Sequence, residues 1–448
     1  MSSKRKQSMP KNYFSNIKYD KHTTWDKNKN YVSFNIKNTR VSLVNSIRRT
    51  IISDVESIGI RTLPYDKSQV SVNSNDTPLY DQFVAERLSN VPIHMPDVDN
   101  INLSDYELTL DVKNDSNLPK DIFSNDIKIR KLSKMNYMSD SDTKKIFPPD
   151  PITGEYVFIN VLKPKYYQYT EASKDVDYTK NSQQLLSAGA ANSHISVSKK
   201  ELSLSMTAGI CKSNGAENGK FNPTCLAIHT FVVDDAKAEK ALQEYLAEHL
   251  GKSDKTKEQL VRRFNTNQRS RYYMTDHNGD ANMFKFEVES IGVIPPLVIF
   301  YRAMNYLNNR IRNFQKNLDL VTNKDNYVEN DKIEVIPSRD KINGWEIIVQ
   351  GEDDTLANVL VDYLNILFCS PNSDPSLESV GYPRPHPQRK LVKIIVQPKE
   401  HEKFSDVAKT YIKPTCKYVI DLIDSMRKEM EKSPELIDEI KRVQSAPK

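Results

Sequence analysis

Residues 39–56, TRVSLVNSIRRTIISDVE, constrain the fold more than any other stretch of the chain. Val44, Ile47, Ile51 and Val55 recur at three- and four-residue steps, the spacing that gathers side chains on one face of an α-helix. Such a stripe must be buried, so the stretch predicts a core helix, with Thr39 or Ser42 as its N-cap. Asn45, Arg48, Arg49 and Ser53 fall largely off the stripe. Two adjacent arginines in mid-helix, just past an Asn, suit a docking face better than a merely solvated one. The chain then repeats the phrase. Ser42-Leu43-Val44-Asn45-Ser46-Ile47 and Thr355-Leu356-Ala357-Asn358-Val359-Leu360 share one order, polar-Leu-x-Asn-x-aliphatic. That echo predicts two related modules in one polypeptide, and Val361-Asp362 stands in the second where Arg48-Arg49 stands in the first.

The 448 residues suffice for two or three domains with sizeable cores. Only 12 glycines argue against Gly-rich phosphate loops, and no GxxxxGK[ST], GxGxxG or GxSxG pattern occurs. A net charge of +5 is nearly balanced, which disfavours a free-standing nucleic-acid-binding regulator working through its basic N-terminal residues. Cys211, Cys225, Cys369 and Cys416 lack CxxC or CxxH spacing, so the expectation is a reducing compartment with neither a disulfide framework nor a zinc site. The opening residues predict no leader peptide, and the most apolar window, 291–301, is too short to span a membrane.

Taken in order, residues 1–25 read as a flexible basic arm, and Tyr31 to Ile36 alternates as a strand. Residues 79–93 predict a helix with Phe83, Val84 and Leu88 inward, ended by Pro92. Short alternating strands at 106–112, 126–132, 156–162 and 201–208 predict a mostly β subdomain. Residues 166–198 read as an extended insertion or a disordered loop. The loop from Gly215 to Pro223 is expected to present Lys220 and Phe221. A strand at 226–233, a polar helix at 235–250 and a loop-rich crossing at 251–282 lead to a strand at 284–294. Pro295-Pro296 opens a long helix with the stripe Val298, Tyr301, Ala303/Met304, Leu307 and Ile311. After a polar linker, 322–331, the remaining elements follow a β-β-α-β-α order, a small sheet with helices across one side, and the last helix runs over 406–432. The fold class is α+β.

The most enzyme-like cluster is Glu352-Asp353-Asp354, whose carboxylates could hold Mg²⁺ in a hydrolase. The same residues open a helix, where Asp caps free N–H groups and complements the dipole, and capping is the better reading. His386, between two prolines, reads as a turn residue. No residue is nominated as catalytic, metal-binding or cofactor-binding.

Separated motifs in one order carry a resemblance. NSIRRTIISDVESIGI (45–60), LYDQFVAERLSNVPI (79–93) and ENGKFNP (217–223) resemble the α-type assembly subunit of cellular RNA polymerases, the D-type subunit of archaea and the third-largest subunit of eukaryotes. FEVESIGVIPPLVIFYRAMNYL (286–307) is similar to that family's last strand and dimerisation helix. GEDDTLANVLVDYLNILF (351–368) with VGYPRPHP (380–387) resembles the small L-type partner. The resemblance implies two alpha-like dimerisation modules paired within one chain. The D-type module comprises 26–60 and 226–321, with 61–225 as its inserted β-rich subdomain, and 332–448 is the L-type module. It implies partner docking by Asn45, Arg48, Arg49, Glu217, Lys220, Asn222 and Pro223, and an L-type motif in Asp354, Thr355, Leu356, Asn358, Pro385, His386 and Pro387. The implied partners are the largest and second-largest polymerase subunits and other small subunits, with DNA reached only through the complex and no separate L-type chain needed. Fused D–L subunits resemble those of large nucleocytoplasmic DNA viruses, which implies a virion and infected-cell cytoplasmic location. Family members with a cysteine cluster in the inserted domain bind zinc or iron–sulfur; this chain lacks that cluster, and Asn218-Gly219 replaces the family's His-Ala.

Overall fold

The computed structural model describes residues 12–19, 30–164, 166–171, 195–200, 202–250, 256–322, 332–339, 343–369, 377–383 and 389–446. The chain divides into two compact units, Met1–Glu56 with Asn214–Ser445, and Ser57–Ser213. The insertion expected at 61–225 is thus shorter, and the 217–223 loop belongs with the flanking unit.

The first unit is built in chain order from β1 (Phe14–Lys18), β2 (Tyr31–Lys37), α1 (Val41–Ser53), β3 (Thr224–Phe231), α2 (Asp235–His249), α3 (Lys257–Asn267), β4 (Met283–Ser290) and α4 (Pro296–Thr322). It continues with β5 (Ile333–Pro337), β6 (Trp345–Gln350), α5 (Asp354–Leu364), β7 (Leu377–Gly381) and β8 (Leu391–Pro398). A turn of helix, Phe404–Val407, and a π-helical turn, Ala408–Ile412, then run into α6 (Lys413–Met430), and α7 (Pro434–Gln444) follows. The π turn lies just before Pro414, whose missing N–H and ring bulk forbid a regular α-helical bond there.

Two antiparallel four-stranded sheets result, in orders β1-β2-β4-β3 and β5-β6-β8-β7. In the first, Phe34 and Phe286 are register partners and stack at 5.7 Å, and Phe300 of α4 packs edge-on to Phe34 at 4.8 Å. Each such ring, removed fully from water, contributes about 2–3 kcal/mol, which fixes α4 to the sheet. Val44, Ile47, Ile51 and Val55 are all buried, as the stripe predicts, and Leu43 joins them. α1 packs against α4 and α5, and α4 against α6.

Several expectations change. The N-cap of α1 is Arg40, because Ser42 turns its hydroxyl to Asp362 and makes no cap bond. The arm at 1–25 contains β1, held through the Tyr13 and Phe14 amides on the Glu429 carboxylate at 2.8–3.0 Å. The crossing at 251–282 contains α3, whose capping box (Thr256, Gln259) and buried Leu260 and Phe264 lie hidden among charged neighbours. With α2 it encloses a separate apolar cluster including Ala241, Leu242 and Tyr245. The helix expected to be the last, over 406–432, is followed by α7, with Ser433 as N-cap and Pro434 in the first turn. Strand β7 was not expected, and Tyr301 leaves the apolar stripe to donate to Glu431 at 2.6 Å.

The second unit is mostly β, as expected. Its five-stranded sheet orders Val70–Asn75, Leu202–Gly209, Tyr106–Asn114, Ile127–Lys131 and Asn136–Tyr137, with Lys120–Phe123 and Phe158–Leu162 as a separate ribbon. Leu202, Leu204, Met206 and Ala208 alternate into its core. The helix Asp81–Ser89 buries Val84 and Leu88 as expected, but Phe83, expected inward, is 57% exposed. Within the stretch expected to be an insertion or a loop, Tyr166–Glu171 pairs antiparallel with Ile195–Lys200. No helix among the described residues is long and apolar enough to cross a membrane.

Candidate functional site

The two echoing helices, α1 and α5, lie side by side in opposite directions. Ser46 Oγ donates to the Thr355 carbonyl at 3.1 Å across the seam. At one end Arg40 donates through Nε and Nη2 to the two oxygens of Asp362, each at 3.2 Å, and through Nη1 to Asp280 at 2.8 Å. Ser42 Oγ donates to the same Asp362 carboxylate. At the other end Arg49 Nη2 meets Asp353 at 3.3 Å. The apolar stripes close between these ends, with Leu43, Ile47, Leu356, Val359 and Leu360 buried.

Arg310, projecting from α4, ties the helix termini together. Its guanidinium donates to Asp54, the C-cap of α1, at 3.0 Å, to Glu352 at 2.5 Å, and to Asp353, the N-cap of α5, at 2.8 Å. Against the cost of burial, Glu352, Asp353 and Asp54 hold the guanidinium in its charged form and raise its pKa. Burial pushes the Glu352 carboxyl up, with Arg310 opposing. For Asp353, burial is outweighed by Arg310 and by the cap bonds to Thr355, so its carboxyl sits below the ordinary range. The capping expected of the acidic cluster is therefore made by Asp353, which accepts from the Thr355 amide at 3.0 Å. The positive charge that these carboxylates face is a guanidinium, and a Mg²⁺ ion would have to displace it. Arg310 thus engages two of the three ligands that the hydrolase reading needs, Glu352 and Asp353.

The docking residues implied by the resemblance gather toward the C-terminal half of α1. Arg48 Nε donates to Asn45 Oδ1 at 2.9 Å, fixing both side chains one turn apart. Burial and the neighbouring Arg49 lower the Arg48 pKa. The 215–223 loop is anchored to the last turn of the same helix, where the Ala216 amide donates to the Ser53 carbonyl at 2.9 Å. Within it Glu217 is exposed, Lys220 half-buried and Pro223 buried. Asn222 Oδ1 accepts from the Thr224 amide and hydroxyl at 3.0 and 2.7 Å. Phe221 is not presented but is 1% exposed, and Lys220 Nζ lies 5.5 Å from its ring centre. Asn218, one of the two departures from the family pattern, caps the short 3-10 turn Gly219–Phe221. On α5, Thr355 and Leu356 are buried while Asp354 and Asn358 are half-buried. Pro385, His386 and Pro387 lie outside the described residues.

The roles of Arg40, Asp362, Arg310 and Glu439 escape the sequence reading. Arg40 and Asp362 were legible in principle, since the register of the echo places Arg40 beside Asp353 and Arg49 beside Asp362 with opposite sign. Nothing local marks Glu439 of α7. Fully buried, it accepts from the Leu297 and Val298 amides at 2.9 and 3.1 Å, at the N-terminus of α4, and from the Tyr19 hydroxyl at 2.7 Å. A carboxylate there satisfies two of the four free amides of the helix end and complements its dipole.

Two antiparallel sheets carrying helices that meet along one charged-ended seam define a helix-mediated association fold. Comparison with known proteins gives this class a family. The family profile described as the RNA polymerase Rpb3/Rpb11 dimerisation domain matches residues 33–311, and the chain belongs to that family. DNA-directed RNA polymerase subunit Rpo3 of Pyrococcus furiosus is 28% identical over 131 residues, 28% of this chain and 43% of that one. Subunit Rpo3 of Thermococcus kodakarensis matches at 28% over 131 residues, 28% of this chain and 44% of its own. The Dictyostelium discoideum RNA polymerase II subunit rpb3 is 30% identical over 108 residues, 21% of this chain and 33% of that one. The chain thus spans less than half the length of these relatives.

Proposed function

We propose that the chain is a non-catalytic assembly subunit of a multisubunit DNA-directed RNA polymerase, in which a D-type first half and an L-type second half pair within one polypeptide. The observation that carries this reading is the seam. The two helices that share one sequence pattern are the two that pack on each other, inside a chain of the Rpb3/Rpb11 family. The family match ends at residue 311, so the L-type assignment of 332–448 rests on the echo, on the second four-stranded sheet and on the helix that sheet carries. Joining the halves by a short linker gives the second an effective concentration of roughly millimolar, so no separate small partner is needed. Asn45, Arg48 and Arg49, with Glu217, Lys220, Asn222 and Pro223, form the face that meets the two largest subunits. The shared anchorage on α1 supports grouping them, and the Arg49–Asp353 pair adds a second task for Arg49. The fused layout is what supports a viral setting, in virions and the cytoplasm of infected cells.

The test is co-purification of the tagged chain from its native source, with stoichiometry by mass spectrometry. Two large polymerase subunits at one copy each, with no separate L-type chain, are expected. Recovery of the chain alone, or with a small L-type partner, would overturn the reading.

A further inference from the structure

We propose that Arg40, Arg49, Asp353 and Asp362 form a charge code that admits the pairing of α1 with α5 and rejects the pairing of either helix with a copy of itself. The proposal rests on the intramolecular pairing set out above and adds what selects it. The register that sets Ser42 beside Thr355 sets Arg40 beside Asp353 and Arg49 beside Asp362, so each helix has two equivalent charged positions, one at each end of the seam. The first helix carries Arg at both and the second Asp at both. In an antiparallel pair, the first position of one helix meets the second position of the other. The observed contacts follow that rule, Arg40 with Asp362 at 3.2 Å and Arg49 with Asp353 at 3.3 Å.

The apolar stripes choose less sharply. Both helices present the same polar-Leu-x-Asn-x-aliphatic order, with Leu43 and Ile47 of α1 standing where α5 has Leu356 and Leu360. Two copies of α1 packed in the same way would set Arg40 against Arg49 twice, and two copies of α5 would do the same with four carboxylates. The side chains are 20–44% exposed, so the attraction in the right pair is modest. The value of the four charges lies in the difference between partners, which is what specificity measures. Neighbouring charges are arranged to suit: Asp280 adds a second carboxylate to Arg40, and Arg310 bridges Asp353 to the end of α1.

The test uses the full chain carrying Asp280→Asn, so that a changed residue 40 meets only residue 362. Arg40→Asp sets two carboxylates together inside the chain, yet makes α1 self-complementary, with Asp at one end and Arg49 at the other. It should lower the thermal midpoint by about 2–6 °C and give a concentration-dependent dimer by light scattering. Adding Asp362→Arg restores an opposite pair, and should recover most of the midpoint and the monomer. Arg40→Asp with Arg49→Asp makes α1 match neither helix, so it should be destabilised but monomeric. General destabilisation predicts the reverse order, with that double variant associating at least as strongly as Arg40→Asp. A monomeric Arg40→Asp chain, equal association of the double variant, or no recovery with Asp362→Arg would overturn the code. A dimer formed by the Asp280→Asn chain with no other change would overturn the parent reading instead.

Discussion

At the scale of single residues, the sharpest constraint outside the seam is Gly215. A Cβ built on it would lie 2.1 Å from the Ile52 carbonyl oxygen, and that carbonyl belongs to the last turn of α1, which cannot shift without moving the helix. Gly215→Ala should therefore cost about 1–3 kcal/mol of stability in urea unfolding, the range for a forced backbone displacement. Gly219, with open space where its Cβ would be, is the control, and its Ala variant should change stability by less than about 0.5 kcal/mol. Equal effects at the two positions would show that the loop is not braced against the helix. The sequence marks Gly215 only as one of two loop glycines, because the atom it must avoid belongs to a helix more than 160 positions earlier. The same distance hides Phe221. A Gly-Lys-Phe turn reads as a presented loop until the core beneath it is known. By contrast, Val44, Ile47, Ile51 and Val55 needed no partner to be read, since their spacing alone states which face is inward.

Elements were legible in proportion to their length and to the regularity of their stripe. α1 and α4 repeat their apolar positions over several turns and were placed within a few residues, and α6 was placed together with the helical turns that lead into it. α3 was missed because one buried pair, Leu260 and Phe264, had to be seen among Lys257, Glu258, Arg262 and Arg263. β1 escaped because its pairing partner β2 supplies order that its own polar sequence does not. The junctions between helices were hardest to read, since they depend on charges from elsewhere in the chain. Arg310 is the case in point, a residue of α4 that joins the C-cap of α1 to the N-cap of α5 and is only 19% exposed. Arg310→Met should leave three carboxylates facing one another around an apolar side chain, at a cost of roughly 2–4 kcal/mol. Arg310→Lys keeps the charge but loses the fork that reaches all three, and should fall between. Denaturant midpoints decide it, and a methionine variant as stable as the parent would mean that the three acids are held apart without the arginine.

At the scale of the whole chain, the architecture is a first unit interrupted by an insertion. The resemblance made an insertion readable from the sequence, while the echo joins two stretches that both lie in the first unit; the cut points were not readable, because Ser57 and Ser213 both lie inside strands, Glu56–Gly59 and Cys211–Asn214. What fixes them is a pair of backbone neighbours in the first unit: the Ala216 amide bonds to the Ser53 carbonyl at 2.9 Å, so the chain returns beside the point from which it left. An insertion with adjacent ends adds little strain to its host, and closing so short a gap costs little chain entropy. Replacing residues 57–213 with a short Gly/Ser turn should accordingly leave a folded, monomeric protein that unfolds in one cooperative transition by circular dichroism. Every seam contact would survive, since Arg40, Arg49, Arg310, Asp353, Asp362 and Glu439 all lie in the retained unit. A shortened chain with no cooperative transition would mean that the first unit cannot hold its helices together alone. The seam would then be a consequence of the fold and not its organiser.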